Sequence, residues 1–445
     1  MSGSAILFCI PPLPGAIGAT TRIARQLRAR GHRVIYAGIP DCGPTVEAHG
    51  FEFAPVFERW FPAGFTKSRQ DVRKGSPEER RDAAKAMFAH MNAFFEALAS
   101  RQETQLEDVI ARVDAGVCVI SACVMDSIVW ALLACAAGTR VVYLQDTFAA
   151  SYDPAVPPVT CGVIPAAGIG ARLERDLSWA RIAVRRFGFR RIFEPLGRLP
   201  RWYRTIDALA RRARVPVDYG RMYIPRIPAP EIRVLPAELD FPVSRPQALA
   251  AECSVDLDRP EPDFPMEWLD PGRPLVLCAL GALNWMAPDR ARSFFQGIAG
   301  EAAKLPGVQW VIAAGLYAGS GGMDLENARF LHSIPQLRLL RRAMCMIHHA
   351  GANSFKECAL FGVPMVLLPS KHDAFGNSAR AVYHGIGVHG REGLAESVLQ
   401  VLEDRAIRAR SQEMSRRLSE LEARARAADM VEAQLDRSAR KAVFP

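Results

Sequence analysis

The sequence predicts an α/β protein made of two Rossmann-like parallel-sheet domains that face each other across a cleft. Apolar, strand-like runs alternate with helical patterns over the first half of the chain, and the alternation restarts in the second half. A proline-rich segment separates the two halves. Strands that alternate with helices pair in parallel, and such sheets bind ligands at the carboxyl ends of their strands. We therefore expect the functional site in the cleft.

The first half supplies strand AILFCI (5–10), a helix over 19–30, strand RVIYAGI (33–39), a helical stretch over 78–112, strand VCVIS (117–121), a helix near 126–136 and strand RVVYL (140–144). Residues 116–144 are almost wholly apolar, as they would be in a membrane span. Asp126 and Arg140 interrupt them, however, and a buried strand, helix and strand have the same composition. We predict that this segment belongs to the sheet.

Residues 225–274 are rich in proline, which excludes a helix or a central strand and predicts an extended linker. The second half then supplies strands in PLVLCALG (274–281), VQWVIAAG (308–315), CMIHHAG (345–351) and PMVLLPS (364–370), with a helix near 288–304. The predicted domains are an N-terminal domain over 1–235, a linker over 236–270, a C-terminal domain over 271–420 and a final helix over 421–445 that crosses back.

The formal charge of the 445-residue chain is +9. Residues 172–214 hold 13 Arg and no Lys against four acidic residues, so the whole excess lies in one aromatic-rich segment. No recognised nucleic-acid-binding motif accompanies it, so nucleic acid is not an expected partner. Two interpretations stay open: a peripheral contact with the inner membrane, and an arginine-rich face that is only solvated.

The ten cysteines form no CxxC pair, and no carboxylate cluster has the spacing of metal ligands. The first 15 residues lack the basic region of a signal peptide. These features predict a reducing, cytoplasmic setting and no metal.

The most informative segment is residues 345–362. CMIHH is a strand that ends at His349, AGAN is a tight turn around Gly351, and a helix begins at Asn353 or Ser354 and stops at Gly362. The N-terminus of a helix behind a turn of small residues binds anions, because its unpaired N–H groups point outward. We predict that a diphosphate binds there, with His349 beside it as a hydrogen-bond donor.

Structural alternatives exist for each of these residues. Ser354 and Glu357 have the spacing of a capping box, in which each side chain bonds the backbone N–H of the other residue. A histidine such as His348 or His349 at the end of a strand is often buried without any ligand. The joint spacing of these residues favours the binding site.

The segment 333–377 resembles the nucleotide-sugar-dependent glycosyltransferases of the UGT superfamily, which have the GT-B fold. The zeaxanthin glucosyltransferase-like and macrolide glycosyltransferase branch in bacteria is the most similar. The motifs that carry the resemblance are PQLRLL, HHAGANSFKECALFGVPMVLLP, D-x-F-G-N at 373–377, LCALGAL, AVPPVTCGVIP at 155–165 and PPLPG…LRARGHRVIYAGIPD…AHGFEFAPV.

The resemblance implies that residues 1–235 bind the acceptor and residues 271–420 the nucleotide sugar, and it implies a role for each matching residue. His349, Asn353 and Ser354 would hold the pyrophosphate, and Glu357 would bind the ribose hydroxyls. Ile334 and Gln336 would lie along the nucleobase and ribose, and Asp373 would accept hydrogen bonds from the transferred sugar. The donor-binding set is completed by Gly15, Gly281, Ala282 and Gly351.

Four positions depart from the family pattern. The base histidine of the opening loop PPLPGAIGA is replaced by Ala16, and the usual Asp-Gln pair is Asp373-Ala374. Ser333 replaces the aromatic residue that stacks on the nucleobase, and Ala282 replaces a Thr or Ser. A general base contributes roughly 10²–10⁴ in rate, so its absence slows a transferase without abolishing it.

Asp126 is the candidate catalytic residue, because it lies near the region where the family keeps the aspartate partner of the histidine. Its structural alternative is a helix N-cap. An acidic acceptor would need no strong base. Loss of catalysis is also open, in which case the chain would be a nucleotide-binding or protein-partner module.

The sequence therefore predicts an inverting hexosyltransferase that uses a UDP- or dTDP-sugar as substrate and no cofactor. Aromatic residues at 57–65 and within 145–205 predict a lipophilic natural-product acceptor. A homodimer is left open.

Overall fold

The computed structural model of the chain describes residues 5–72, 75–122, 126–148, 152–166, 168–193, 201–219, 225–244, 248–281, 288–319, 325–390 and 393–435. These residues form two sheets with helices packed against them, and every strand pair within the sheets is parallel. The predicted α/β class with two Rossmann-like domains is confirmed.

The sheet of the N-terminal domain has the order β3-β2-β1-β4-β5-β6-β7. Its strands are β1 (Ala5–Cys9), β2 (Val34–Gly38), β3 (Glu52–Pro55), β4 (Ala115–Ser121), β5 (Arg140–Gln145), β6 (Glu231–Arg233) and β7 (Leu249–Ala250). β1 and β2 are buried along their whole length, since helices cover both faces of a parallel sheet.

The sheet of the C-terminal domain has the order β10-β9-β8-β11-β12-β13. Its strands are β8 (Leu275–Ala279), β9 (Gln309–Ala313), β10 (Ala328–Leu331), β11 (Cys345–His348), β12 (Met365–Leu367) and β13 (Gly387–His389). Two buried apolar clusters lie on the opposite faces of this sheet.

The helices of the N-terminal domain are α1 (Pro14–Ala29), α2 (Gly43–Ala48), α3 (Phe65–Val72), α4 (Pro77–Ala99), α5 (Gln105–Val113), α6 (Ser127–Ala136), α7 (Ile169–Phe193) and α8 (Arg201–Ala213). Two helices differ from their predicted bounds. α1 begins five residues before the predicted position 19, because Pro14 suits the first turn of a helix. The predicted helix over 78–112 is two helices, which part where Arg101 adopts a positive φ.

The helices after the linker are α9 (Pro288–Ala303), α10 (Gln336–Leu340), α11 (Ala352–Phe361), α12 (Ala374–Tyr383), α13 (Leu394–Glu403), α14 (Arg405–Glu422) and α15 (Arg426–Glu432). α15 returns to the N-terminal domain, where Ala427 and Val431 are part of the buried core. Arg30 of α1 forms ion pairs of 2.6 Å with both Asp429 and Glu432. α15 therefore ties the end of the described chain to the first domain.

The prediction that the proline-rich segment contains no central strand is wrong at one point. β6 lies between β5 and β7, so Glu231–Arg233 is inside the sheet. The prolines of this region stand before and after these three residues, which leaves their backbone N–H groups free to pair.

The apolar segment 116–144 forms β4, α6 and β5, as predicted. Within the described residues, none of the helices combines the length and the apolar composition that a bilayer crossing requires.

Candidate functional site

The site lies where the two sheets present the carboxyl ends of their central strands. β1 has β2 on one side and β4 on the other, and β8 is placed in the same way between β9 and β11. Such a switch in strand order opens a crevice for ligands. The opening loop follows β1, and the turn at His349 follows β11, so both predicted parts of the site reach these crevices.

The turn after β11 is held in an unusual backbone conformation. Ala350 has a φ of 62°, a region that residues with a side chain rarely adopt. Its N–H donates to His348 Nδ1 at 3.2 Å, and its carbonyl accepts from Asn377 Nδ2 at 2.9 Å. His348 is fully buried, so this histidine is structural, as one of the sequence alternatives predicted.

Two glycines make room for the imidazole of His349. A Cβ added to Gly351 would lie 2.5 Å from His349 Nε2, and one added to Gly281 would lie 2.9 Å from His349 Cε1. Gly281 also has a φ of 65°. The ring is therefore fixed between backbone segments, and no other residue fits at either glycine without moving it.

Both histidines of the turn are neutral at pH 7. Burial lowers the pKa of His348 to about 3. Burial also lowers the pKa of His349, and the positive charge of Lys371 lowers it further. Since His349 Nδ1 is buried and has no hydrogen-bond partner, a neutral imidazole stands at the turn with unused hydrogen-bonding capacity.

α11 begins at Ala352 with Gly351 as its N-cap residue, and no side chain caps it. The capping-box interpretation of Ser354 and Glu357 is therefore wrong, because Ser354 lies inside the first turn and not before it. The first N–H groups of the helix stay available for an anion. α11 ends at Gly362, which has the left-handed conformation expected from the sequence.

Asn353 joins the two domains directly. Its Nδ2 donates to the carbonyl oxygen of Gly15 at 2.8 Å. The first turn of α1 thus approaches the N-terminus of α11 through its backbone. Ala16, at the position of the family histidine, is buried in the first turn of α1.

Glu357 is buried and engaged by two partners. Arg259 donates from Nη1 to Oε1 at 2.5 Å and from Nη2 to Oε2 at 3.1 Å. Gln336 Nε2 donates to Oε2 at 2.6 Å. Gln336 and Glu357 are therefore adjacent, as the resemblance implied, and Arg259 is an addition that the sequence did not reveal.

The linker brings further residues to the site. Glu261 accepts from the backbone N–H groups of Leu337 and Arg338, at 2.6 and 3.2 Å, and so caps α10. Asp256 pairs with Arg25 of α1 at 3.0 Å. No motif marked these residues, since isolated charges between prolines are common in exposed linkers.

Asp373 lies just before α12 and is partly buried. Its Oδ2 accepts from Asn377 Nδ2 at 2.9 Å, the same amide that holds the carbonyl of Ala350. Burial raises the pKa of Asp373. The side chain of Ala374 is buried, so the second member of the family pair has no counterpart here.

An apolar cavity of about 270 Å³ opens at the carboxyl ends of β1 and β4. Aromatic side chains form much of its wall: Phe57, Phe61, Phe65, Phe94, Phe95 and Trp130. The first three belong to the aromatic segment 57–65 that the sequence analysis assigned to the acceptor. No described residue of the second predicted segment, 145–205, lines the cavity.

Asp126 lies in the lining of this cavity, together with Arg69, Ser121 and Ser127. It occupies the N-cap position of α6, but its side chain makes no capping hydrogen bond. Desolvation by the surrounding protein raises the pKa of Asp126, and the positive charge of Arg69 opposes that effect. A carboxyl group with the properties of a proton acceptor thus stands at an apolar cavity.

The structure brings most of the predicted donor-site residues together around α11. Gly281 and Gly351 lie against the ring of His349, and Asn353 bonds to Gly15. Ile334 packs its side chain into the core beside α10. Ala282 lies outside the described residues.

Residues 322–432 match the family described as Erythromycin biosynthesis protein CIII-like, C-terminal domain. Among curated proteins, the chain is 29% identical over 171 residues to oleandomycin glycosyltransferase of Streptomyces antibioticus, which covers 36% of this chain and 38% of that protein. It is 29% identical over 174 residues to NDP-glycosyltransferase YjiC of Bacillus licheniformis, which covers 37% and 43%. These matches span less than half of either relative.

Solved structures are similar over nearly the whole chain. The glycotransferase of kitacinnamycin has a TM-score of 0.68 at 20% identity, covering 98% of this chain and 100% of that one. SnogD from Streptomyces nogalater has a TM-score of 0.63 at 18% identity, with the same coverage. Spinosyn rhamnosyltransferase SpnG complexed with thymidine diphosphate has a TM-score of 0.61 at 18% identity, covering 96% and 100%. These structural similarities show that the chain has the GT-B fold.

Proposed function

We propose that the protein is a hexosyltransferase, because residues 322–432 match the EryCIII-like C-terminal domain family and the whole chain has the GT-B fold. It moves a sugar from a nucleoside diphosphate sugar to a lipophilic small molecule. One observation carries the proposal. The imidazole of His349 is fixed beside the uncapped N-terminus of α11. Asn353 of that helix bonds across the cleft to Gly15, which directly follows the loop that lines the apolar cavity.

On the donor side, the diphosphate binds at the first turn of α11. The N–H groups there and the helix dipole stabilise its negative charge, and His349 donates a hydrogen bond. These interactions grow as the glycosidic bond to phosphate breaks and charge develops on the leaving oxygen. Leaving-group stabilisation is therefore available without the histidine that Ala16 replaces.

On the acceptor side, the aromatic cavity binds an apolar molecule and Asp126 accepts the proton of its hydroxyl group. The acceptor oxygen attacks the anomeric carbon as the bond to the diphosphate breaks on the opposite face, which inverts the configuration. The raised pKa of Asp126 makes its carboxylate a stronger base than an ordinary aspartate.

Calorimetric titration with UDP, dTDP and GDP tests the donor site. We expect one of the three to bind at a single site. If none of them binds, the proposed function is wrong, because a transferase of this fold must hold the diphosphate at α11.

Because Glu357 already accepts three hydrogen bonds, we expect the protein to bind 2′-deoxy nucleotides more tightly than ribonucleotides. A carboxylate has about four acceptor positions, and Arg259 and Gln336 occupy both of those on Oε2 and one on Oε1. One position is left for the sugar of the nucleotide, which suits a single hydroxyl better than a ribose diol. We expect dUDP to bind about tenfold more tightly than UDP, since an unpaired buried hydroxyl costs about 1–3 kcal/mol.

Arg259→Met frees two of these positions, which leaves three open, and should remove the preference for dUDP. The ratio of the two dissociation constants is the readout, because a general loss of affinity cancels in it. Arg405→Met, at an exposed arginine of α14, should leave the ratio unchanged. A wild-type protein that binds UDP more tightly than dUDP contradicts the argument.

α7 supports a membrane contact for the basic segment. Ile169, Leu173, Leu177 and Val184 are exposed on this helix, with exposed fractions of 85, 57, 47 and 74%. Trp179 is buried and donates from Nε1 to the carbonyl of Val156 at 2.9 Å, which anchors the helix. An apolar stripe among arginines is typical of helices that lie on anionic bilayers.

We expect the protein to sediment with vesicles that contain anionic lipid and to do so less in high salt. Changing Ile169, Leu173 and Val184 together to Ser should reduce the bound fraction severalfold. Changing exposed Leu399 of α13 to Ser is the control. Equal binding by all three proteins would refute the contact.

A further inference from the structure

A second carboxyl group approaches the sugar-binding position from the N-terminal domain. Asp146 follows β5 directly, and β5 is the neighbour of β4 in the first sheet. It therefore lies on the same edge of that sheet as the opening loop and the cavity. Its Oδ1 is buried and has no hydrogen-bond partner.

Contacts after β5 hold the segment that begins with Asp146 against the C-terminal domain. Two residues further along, Phe148 packs against Phe355 of α11, with 6.2 Å between the ring centroids. Later in the chain, the N–H of Gly376 in α12 donates to the carbonyl of Val159 at 3.0 Å, and a Cβ on Gly376 would overlap that oxygen. The chain that follows β5 therefore contacts both α11 and α12.

The carboxyl group of Asp373 and the amino group of Lys356 both act electrostatically on Asp146. Burial raises the pKa of Asp146 to about 6, and the negative charge of Asp373 contributes to this rise. Lys356 of α11 acts in the opposite direction. Lys356 is only 2% exposed and its Nζ has no hydrogen-bond partner, so an unpaired buried ammonium group belongs to the same cluster.

Other cations near this cluster are already paired. The guanidinium groups of Arg233 and Arg380 lie over the ring of Phe148, but both bond to Asp240, at 2.7 and 2.8 Å. They therefore do not neutralise Asp146. The cluster keeps acceptor capacity that the described residues do not use.

The family pair at this place is an aspartate followed by a glutamine, and Ala374 removes the second member. The buried methyl group of Ala374 can neither donate nor accept a hydrogen bond. Position 374 thus offers Asp373 no polar neighbour, whereas Asp146 Oδ1 in the N-terminal domain is an acceptor without a partner.

We propose that Asp146 binds hydroxyl groups of the transferred sugar opposite Asp373, in place of the missing amide at 374. This inference rests on the proposed function. A carboxylate only accepts hydrogen bonds, so the group between Asp146 and Asp373 must be a donor, as a sugar hydroxyl is. The sugar is then held by one residue from each domain, and a sugar that is deoxygenated on this side binds weakly.

Calorimetric titration of wild-type protein and Asp146→Asn with UDP-glucose, UDP, dTDP-glucose and dTDP tests the inference. We expect the substitution to weaken binding of the nucleoside diphosphate glucose by about tenfold or more. Binding of the free diphosphate should change less than twofold, because the sugar alone contacts Asp146. Asp82→Asn, at an exposed carboxylate of α4, should change neither.

The pH dependence gives a second readout. Hydroxyl groups prefer the carboxylate form, so the affinity of wild-type protein for the nucleoside diphosphate glucose should rise from pH 5 to pH 7, and the rise should be smaller in Asp146→Asn, where Asp373 remains as a titrating carboxyl group. Asp373, Lys356 and His349 are present in both proteins, so the difference isolates Asp146. A substitution that weakens sugar nucleotide and free diphosphate equally, or neither, overturns the inference. Failure of all four ligands to bind wild-type protein would instead refute the proposed function.

Discussion

Replacing His349 by alanine is expected to weaken binding of the nucleoside diphosphate by about 10- to 100-fold and to lower the transfer rate further. The binding effect follows from the loss of a hydrogen bond to a charged group, worth about 1.5–3 kcal/mol. The rate effect follows because the same bond strengthens as charge develops on the leaving phosphate. Calorimetry and initial rates at saturating donor measure the two effects separately.

Gly351→Ala provides an independent route to the same defect. The added Cβ would lie 2.5 Å from His349 Nε2, so the ring must move although its chemistry is retained. His389→Ala, at an exposed residue of β13, is the matched control. Undiminished binding by His349→Ala would show that the diphosphate does not bind at this turn.

Replacing Asp126 by asparagine is expected to lower the transfer rate to an aliphatic alcohol by roughly 10²–10⁴ without changing the affinity for the diphosphate. The amide keeps the shape of the side chain at the cavity but cannot take up a proton. The loss should be smaller for a phenol, whose hydroxyl group is more acidic and needs less help from a base.

The pH dependence of the transfer rate tests whether Asp126 accepts the proton. Because the pKa of Asp126 is raised, its carboxylate is lost at a higher pH than for an ordinary aspartate, and the wild-type rate should fall as the pH is lowered through that value. Asp126→Asn should lack this limb. If the variant retains both the rate and the limb, Asp126 is not the proton acceptor.

Local sequence patterns were sufficient for the central part of the site. The strand, small-residue turn and helix around His349 follow from residues that are adjacent in the chain, and the structure forms them within one or two residues of the predicted ends. That small shift excludes the capping box of Ser354 and Glu357, because α11 begins before Ser354 and Ser354 is therefore not its N-cap residue. A capping box can be read from spacing only when the first residue of the helix is already known.

Contacts between distant segments could not be predicted in this way. Arg259 and Glu357 are 98 residues apart, and their ion pair depends on where the linker crosses the C-terminal domain. Asp146 is similar, because its place beside the C-terminal domain depends on contacts such as the packing of Phe148 against Phe355 of α11. Both residues lie in segments where an acidic or basic side chain would ordinarily be solvated.

The opening segment PPLPGAIGA shows what residue types can indicate about a site and what they cannot. It contains no side chain that transfers protons, and Ala16 is buried in the structure. What the loop contributes is the carbonyl of Gly15, which holds Asn353 at the N-terminus of α11. A backbone contact of this kind leaves no signature in the residue types.

The central claim is tested most directly by a transfer assay. The protein is incubated with UDP-glucose or dTDP-glucose and a panel of apolar phenols and alcohols, and glycosylated product is measured by mass spectrometry together with release of the diphosphate. We predict that product forms in proportion to released diphosphate and that both fall in His349→Ala. Tight, His349-dependent binding of the nucleotide with no product from any acceptor would contradict the account and show a chain that holds the nucleotide without transferring sugar.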